Sequence, residues 1–135
     1  MLTRGGYTLV ICSGGHVHIS EEGGLDSLLE FSDSTQWEGA VAADKVVGKA
    51  AALLFAKLKV SAVYAEVLSK SGARVLESND IAYRYNKCVG SLLNSEGTDY
   101  CPYEKSVKDI ADPDEAVIIL KKKNEPARIE SALVL

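Results

Sequence analysis

The sequence predicts an α/β fold: a three-layer α/β/α sandwich around a mixed sheet, with an N-terminal β-hairpin. Three observations predict it. Gly14-Gly15 separates two short runs, Thr8–Ser13 and His16–Ser20. Apolar stretches without alternation, at Gly39–Ala43 and Ser61–Leu68, have the character of strands covered on both faces. Between them, Val46–Leu58 repeats its apolar residues with helical spacing, so strand-helix-strand crossovers and parallel pairing follow.

The chain has 135 residues, the size of one domain spanning 1–135, with a core over about 8–123 and a tail over 124–135. The hairpin comes first, because Gly-Gly tolerates the positive φ that a two-residue turn requires. Leu25–Phe31 is a short amphipathic helix with Leu25, Leu28, Leu29 and Phe31 inward. In the helix Val46–Leu58, residues Val47, Ala50, Ala51, Leu54 and Leu58 form one apolar stripe. A short helix over Gly72–Ser78 follows the second buried strand, then a strand over Ile81–Tyr85 and a polar connection over 86–100. Helices over Pro102–Ile110 and Pro113–Lys123 close the fold. The last one is signposted by Asp112 at its N-cap, Pro113 at its first position and lysines in its final turn.

Composition excludes several function classes. The chain is 47% hydrophobic and 25% charged with a net charge of -4, which gives no global basic field for nucleic acid. Lys121-Lys122-Lys123 sits where a helix ends and complements its dipole. Cys12, Cys88 and Cys101 form no Cys-x-x-Cys pair. No stretch has the apolar length of a signal peptide or a membrane span, so a reduced, cytoplasmic protein is expected.

Asp44, Lys45 and Lys49 lie at the junction between the first buried strand and the helix, where open α/β folds hold ligands. Asp44 reads as the N-cap. Lys45 and Lys49, four residues apart, work against the helix dipole unless an anion sits there with them, the bland alternative being that both are solvated. Gly48 lowers helix propensity, which close approach of another backbone or a ligand would explain, and plain helix packing equally well. Cys101-Pro102-Tyr103-Glu104-Lys105 is the second constellation. Pro102 at the first helical position makes Cys101 the N-cap, where a thiolate is stabilised, and Glu104 is placed to close a capping box. A structural cap is the plainer reading, a reactive thiol the sharper one. Asn94–Asp99 has a composition suited to a lid or to any surface loop. His16 and His18 share a face of the hairpin with Ser13 and Ile11, without a third ligand, and read as exposed strand residues. No metal site, cofactor motif or phosphate loop is legible.

Ala43-Asp-Lys-Val-Val-Gly-Lys-Ala-Ala-Ala52 together with Cys101-Pro-Tyr-Glu-Lys105 resembles the DUF1893 family, whose fold is similar to that of the cytidine deaminases. The likeness runs from about residue 8 to about residue 122. In zinc-dependent deaminases the corresponding helices open with His-x-Glu or Cys-x-Glu and with Pro-Cys-x-x-Cys. Here those places read Asp44-Lys45-Val46 and Ser69-Lys-Ser-Gly-Ala-Arg74, with neither His nor Cys, so zinc-dependent deamination is not expected. The resemblance implies a pocket at the N-terminal ends of the two helices, lined by Asp44, Lys45, Ser69 and Ser71.

Three readings follow. The first is a binding module for a small anionic or nucleotide-like ligand held at Asp44, Lys45, Lys49, Ser69 and Ser71. The second is a metal-independent enzyme with Cys101 as nucleophile and Lys45 or Glu104 carrying the proton. In the third, the chain is a structural or regulatory partner whose surface includes the tail Ala132–Leu135. A second copy of the chain is a further partner the sequence allows.

Overall fold

A computed structural model describes residues 9–20, 24–32, 34–90 and 102–122. The elements are β1 (Leu9–Ser13), β2 (His16–Ser20), α1 (Gly24–Phe31), β3 (Val41–Val47), α2 (Lys49–Leu58), β4 (Ala62–Ser69), α3 (Lys70–Ser78), β5 (Ala82–Val89) and α4 (Pro102–Ser106). A fifth helix, α5, covers residues 113–122. Asp112 caps it as expected: its carboxylate accepts the Asp114 N–H at 3.1 Å and its carbonyl the Ala116 N–H at 3.0 Å.

The sheet is five-stranded and mixed, in the order β2-β1-β3-β4-β5. β1 pairs antiparallel with both β2 and β3, while β3-β4 and β4-β5 are parallel. Both crossovers step in the same direction across the sheet, so right-handed connections put α2 and α3 on one face. α1 joins them there: His18, whose strand partner is the inward Ile11, meets Phe31 edge-on at 4.7 Å. His18 is therefore half-buried rather than exposed, and His16 lies 6.4 Å from the Trp37 ring.

Leu9, Ile11, Ala42, Val63 and Ala65 form the buried face of the sheet. Leu28 of α1, Leu53, Leu54 and Phe55 of α2 and Leu76 of α3 pack onto it. α2 is buried around most of its circumference, because Val107 and Leu120 of the C-terminal segment close over its outer side within the same core. Lys57 of α2 pairs with Asp114 of α5. No described helix covers the opposite face of the sheet, where Val17 is 61% and Val41 56% exposed beside Ile19 and Tyr64. The double-sided burial expected for the 39–43 stretch is thus not found: one face of β3 is open.

Several boundaries differ from the sequence reading. β3 runs on through Val47 and α2 begins at Lys49, because Val46 and Val47 pair with Val67 and Leu68 of β4. Two β-branched residues favour that extended pairing over a helical first turn. β5 continues to Val89, where the expected strand stopped at Tyr85, because its partner β4 supplies a ladder as far as Ser69. Pro102–Ser106 is helical for five residues, and a turn replaces the rest of the longer helix expected to Ile110.

The hairpin turn has positive φ at Gly14 only, at 56°. Gly72 answers the question that Gly48 poses. A Cβ on Gly72 would stand 3.1 Å from the carbonyl carbon and oxygen of Gly48 and from Ser69 Oγ. The starts of α2 and α3 meet backbone to backbone. Gly72→Ala therefore forces these two helix ends apart and is expected to cost about 1–3 kcal/mol in urea unfolding.

Candidate functional site

Four residues of α2's first turn, Lys49-Ala50-Ala51-Ala52, follow an N-cap, Gly48, that has no side chain to offer. The Ala52 N–H donates to the Gly48 carbonyl at 3.0 Å, so those of Lys49, Ala50 and Ala51 need acceptors from elsewhere. Glu104 of α4 provides two. Its Oε1 accepts from Lys49 N at 2.7 Å and its Oε2 from Ala50 N at 2.8 Å. The Lys49 ammonium then donates to the Lys108 carbonyl at 2.6 Å. The anion expected at this helix end is thus present, and it belongs to the protein. A carboxylate at the positive end of α2 completes the helix electrostatically while fastening the 104–108 segment to it. The reciprocal cap of α4's own start, expected of Glu104, involves Cys101 and lies outside the described residues.

The other residues singled out in the sequence separate. Asp44 is not the N-cap of α2 but the fourth residue of β3, 4% exposed, between Leu9 of β1 and Ala65 of β4. Its Oδ1 accepts the N–H of its immediate neighbour Lys45 at 2.9 Å, whereas an N-cap side chain accepts from two or three residues on. Burial pushes its carboxyl up from 3.8 to about 7, against the opposing effect of the Lys45 and Val46 N–H groups. Lys45 is exposed on β3, so Lys45 and Lys49 share no helix face. The convergence of Asp44, Lys45 and Lys49 on one ligand is not formed. Ser69 is fully buried and caps α3 through the Gly72 N–H at 3.0 Å, with Ser71 Oγ 3.2 Å away. Cys101, the polar segment 94–99, the tail from 124 and the Leu25 side chain lie outside the described residues. Among the described residues no three His, Cys, Asp or Glu side chains come together as a metal site, and no helix is long and apolar enough to cross a membrane.

What the Glu104 attachment creates is a cleft of about 450 Å³ between α2, α3 and the segment following α4. Of the residues singled out in the sequence, Lys49, Ser71 and Glu104 line it. It adds cations that sequence reasoning missed: Arg74 on α3, and Lys105 and Lys108 on the opposite wall. Val75, Ile110 and Ala111 supply apolar surface, and Ser78 and Asn79 polar groups. Four cationic residues face one carboxylate, and that carboxylate is already engaged with two backbone N–H groups. Some thirty residues separate Arg74 from Lys105, so no local pattern could have joined them. The signal that was available is the start of α2, whose uncapped N–H groups required a distant acceptor.

Comparison with known proteins agrees with this architecture. A solved structure of a DUF1893 family protein, TM1506 from Thermotoga maritima, is 29% identical to the chain. It superposes with a TM-score of 0.81 over 90% of this chain and 84% of that one. No curated protein matches. The family model described as TM1506, domain of unknown function (DUF1893), matches residues 1–123, and the chain therefore belongs to the DUF1893 family.

Proposed function

We propose that the protein is a binding module for a small anionic ligand, carrying phosphate or carboxylate groups, held in the cleft between α3 and the 104–111 segment. The observation that carries this reading is the charge balance of the cleft. Among the described residues, Arg74 and Lys108 line it without an ion pair, together with Lys49, while its only carboxylate there, that of Glu104, is bound to the start of α2. A cleft of about 450 Å³ is in the range that accommodates small metabolites, and the apolar wall of Val75 and Ile110 gives a ligand's uncharged part a dry surface. Arg74 presents a planar fork suited to a phosphate or carboxylate. The pocket that the family resemblance implies at the N-terminal ends of α2 and α3 overlaps this cleft at Ser71, beside Lys49. Asp44, Lys45 and Ser69 have no part in it.

A thermal-shift screen with nucleotides, sugar phosphates, dicarboxylates and inorganic phosphate tests the reading. A ligand at a hundredfold excess over its Kd adds about 2.7 kcal/mol of stability. The stabilisation is expected in the parent protein and in Lys45→Ala, and lost in Arg74→Gln. Equal stabilisation of all three proteins, or none with any compound, would overturn the assignment.

A further inference from the structure

The cations of the cleft stand on two walls, and this constrains the ligand further than its sign. Arg74 belongs to α3, whereas Lys108 belongs to the turn after α4, on the other side. The ion pairs among the described residues join Lys57 to Asp114 and Lys59 to Glu38, and involve neither Arg74 nor Lys108. Glu104 turns both oxygens to the start of α2, and the Lys49 ammonium is committed to the Lys108 carbonyl. Unmatched positive charge is thus presented from each wall, with Val75 on one side and Ile110 on the other offering apolar surface between. A single anionic group satisfies one wall and leaves the other cation facing apolar side chains.

Building on the anion-binding reading above, we infer that the ligand carries two anionic groups joined by a short uncharged stretch, one group taken by Arg74 and the other by Lys108. Its chemical class is a bisphosphate, a diphosphate or a dicarboxylate. Linking the two groups makes the second contact intramolecular, so the pair binds more tightly than either alone without any new contact.

Calorimetric titration with inorganic phosphate, pyrophosphate and propane-1,3-bisphosphonate at one fixed ionic strength tests this. One of the two double anions is expected to bind at least tenfold more tightly than phosphate. Arg74→Gln and Lys108→Gln each alter an exposed side chain that carries no ion pair. Each is expected to reduce that affinity to the level of phosphate, and the double variant to abolish binding of all three probes. Double anions that bind no more tightly than phosphate, or single variants that keep the advantage of the double anions over phosphate, overturn the two-group inference and leave the anion cleft standing. Absence of binding by all three probes removes the cleft assignment with it.

Discussion

At pH 8 the Asp44→Asn variant is expected to resist urea better than the parent protein, by up to about 4 kcal/mol. Burial in the central strand raises the Asp44 carboxyl from 3.8 to about 7, and no neighbouring charge contributes to that rise. Below pH 3.8 the carboxyl is protonated in both the folded and the unfolded chain, so stability does not depend on pH through this group. Between 3.8 and about 7 the folded protein keeps a proton that the unfolded chain has released. Stability therefore falls by about 1.4 kcal/mol for each pH unit in that window. Above 7 both states are ionised and the loss is complete. Asparagine keeps an acceptor for the Lys45 N–H without the charge, so its stability is expected to be flat across the window. Urea midpoints at pH 5 and pH 8 for the two proteins check this. Parallel pH dependences would show that Asp44 ionises in the folded state without cost.

Glu104→Ala carries the second large effect. The change removes two hydrogen bonds from a carboxylate to the first N–H groups of α2 and leaves those donors half-buried without a partner. Bonds of this charged kind contribute about 1.5–3 kcal/mol each, and they share one side chain, so the expected loss is about 3 kcal/mol. Binding is expected to weaken as well, because Glu104 holds the wall that carries Lys105 and Lys108. Glu104→Gln retains one acceptor and falls between. Equilibrium unfolding combined with the affinity for the best anion of the screen separates the two effects. An alanine variant as stable as the parent would mean that water caps α2 equally well.

Much of the fold was legible because its signals are local. The Gly14-Gly15 turn, the apolar stripe of α2 and the Asp112-Pro113 start of α5 each specify an element within a few residues. The order of elements then fixes parallel pairing through the crossover rule. The end of β3 was not legible, because an aspartate ahead of an apolar helical run has the residue type of an N-cap, although Asp44 accepts the N–H of its immediate neighbour within a strand. Only pairing with Val67 and Leu68, more than twenty residues away, decides between the two. The same holds for β5 beyond Tyr85, whose Asn86-Lys87-Cys88 has a loop's composition until β4 lies beside it. Of the cleft's framework, the sequence singled out the start of α2 and Glu104, but not their meeting. That contact spans 55 residues in sequence and has no periodic trace.

The most direct measurement of the cleft assignment is a titration of the ¹⁵N-labelled protein with pyrophosphate, following backbone amide shifts. The largest changes are expected on both walls, at residues 71–79 and 104–111, while Lys45 and Glu66 on the sheet stay fixed. Shifts confined to the sheet, or spread evenly over the surface lysines, would contradict it.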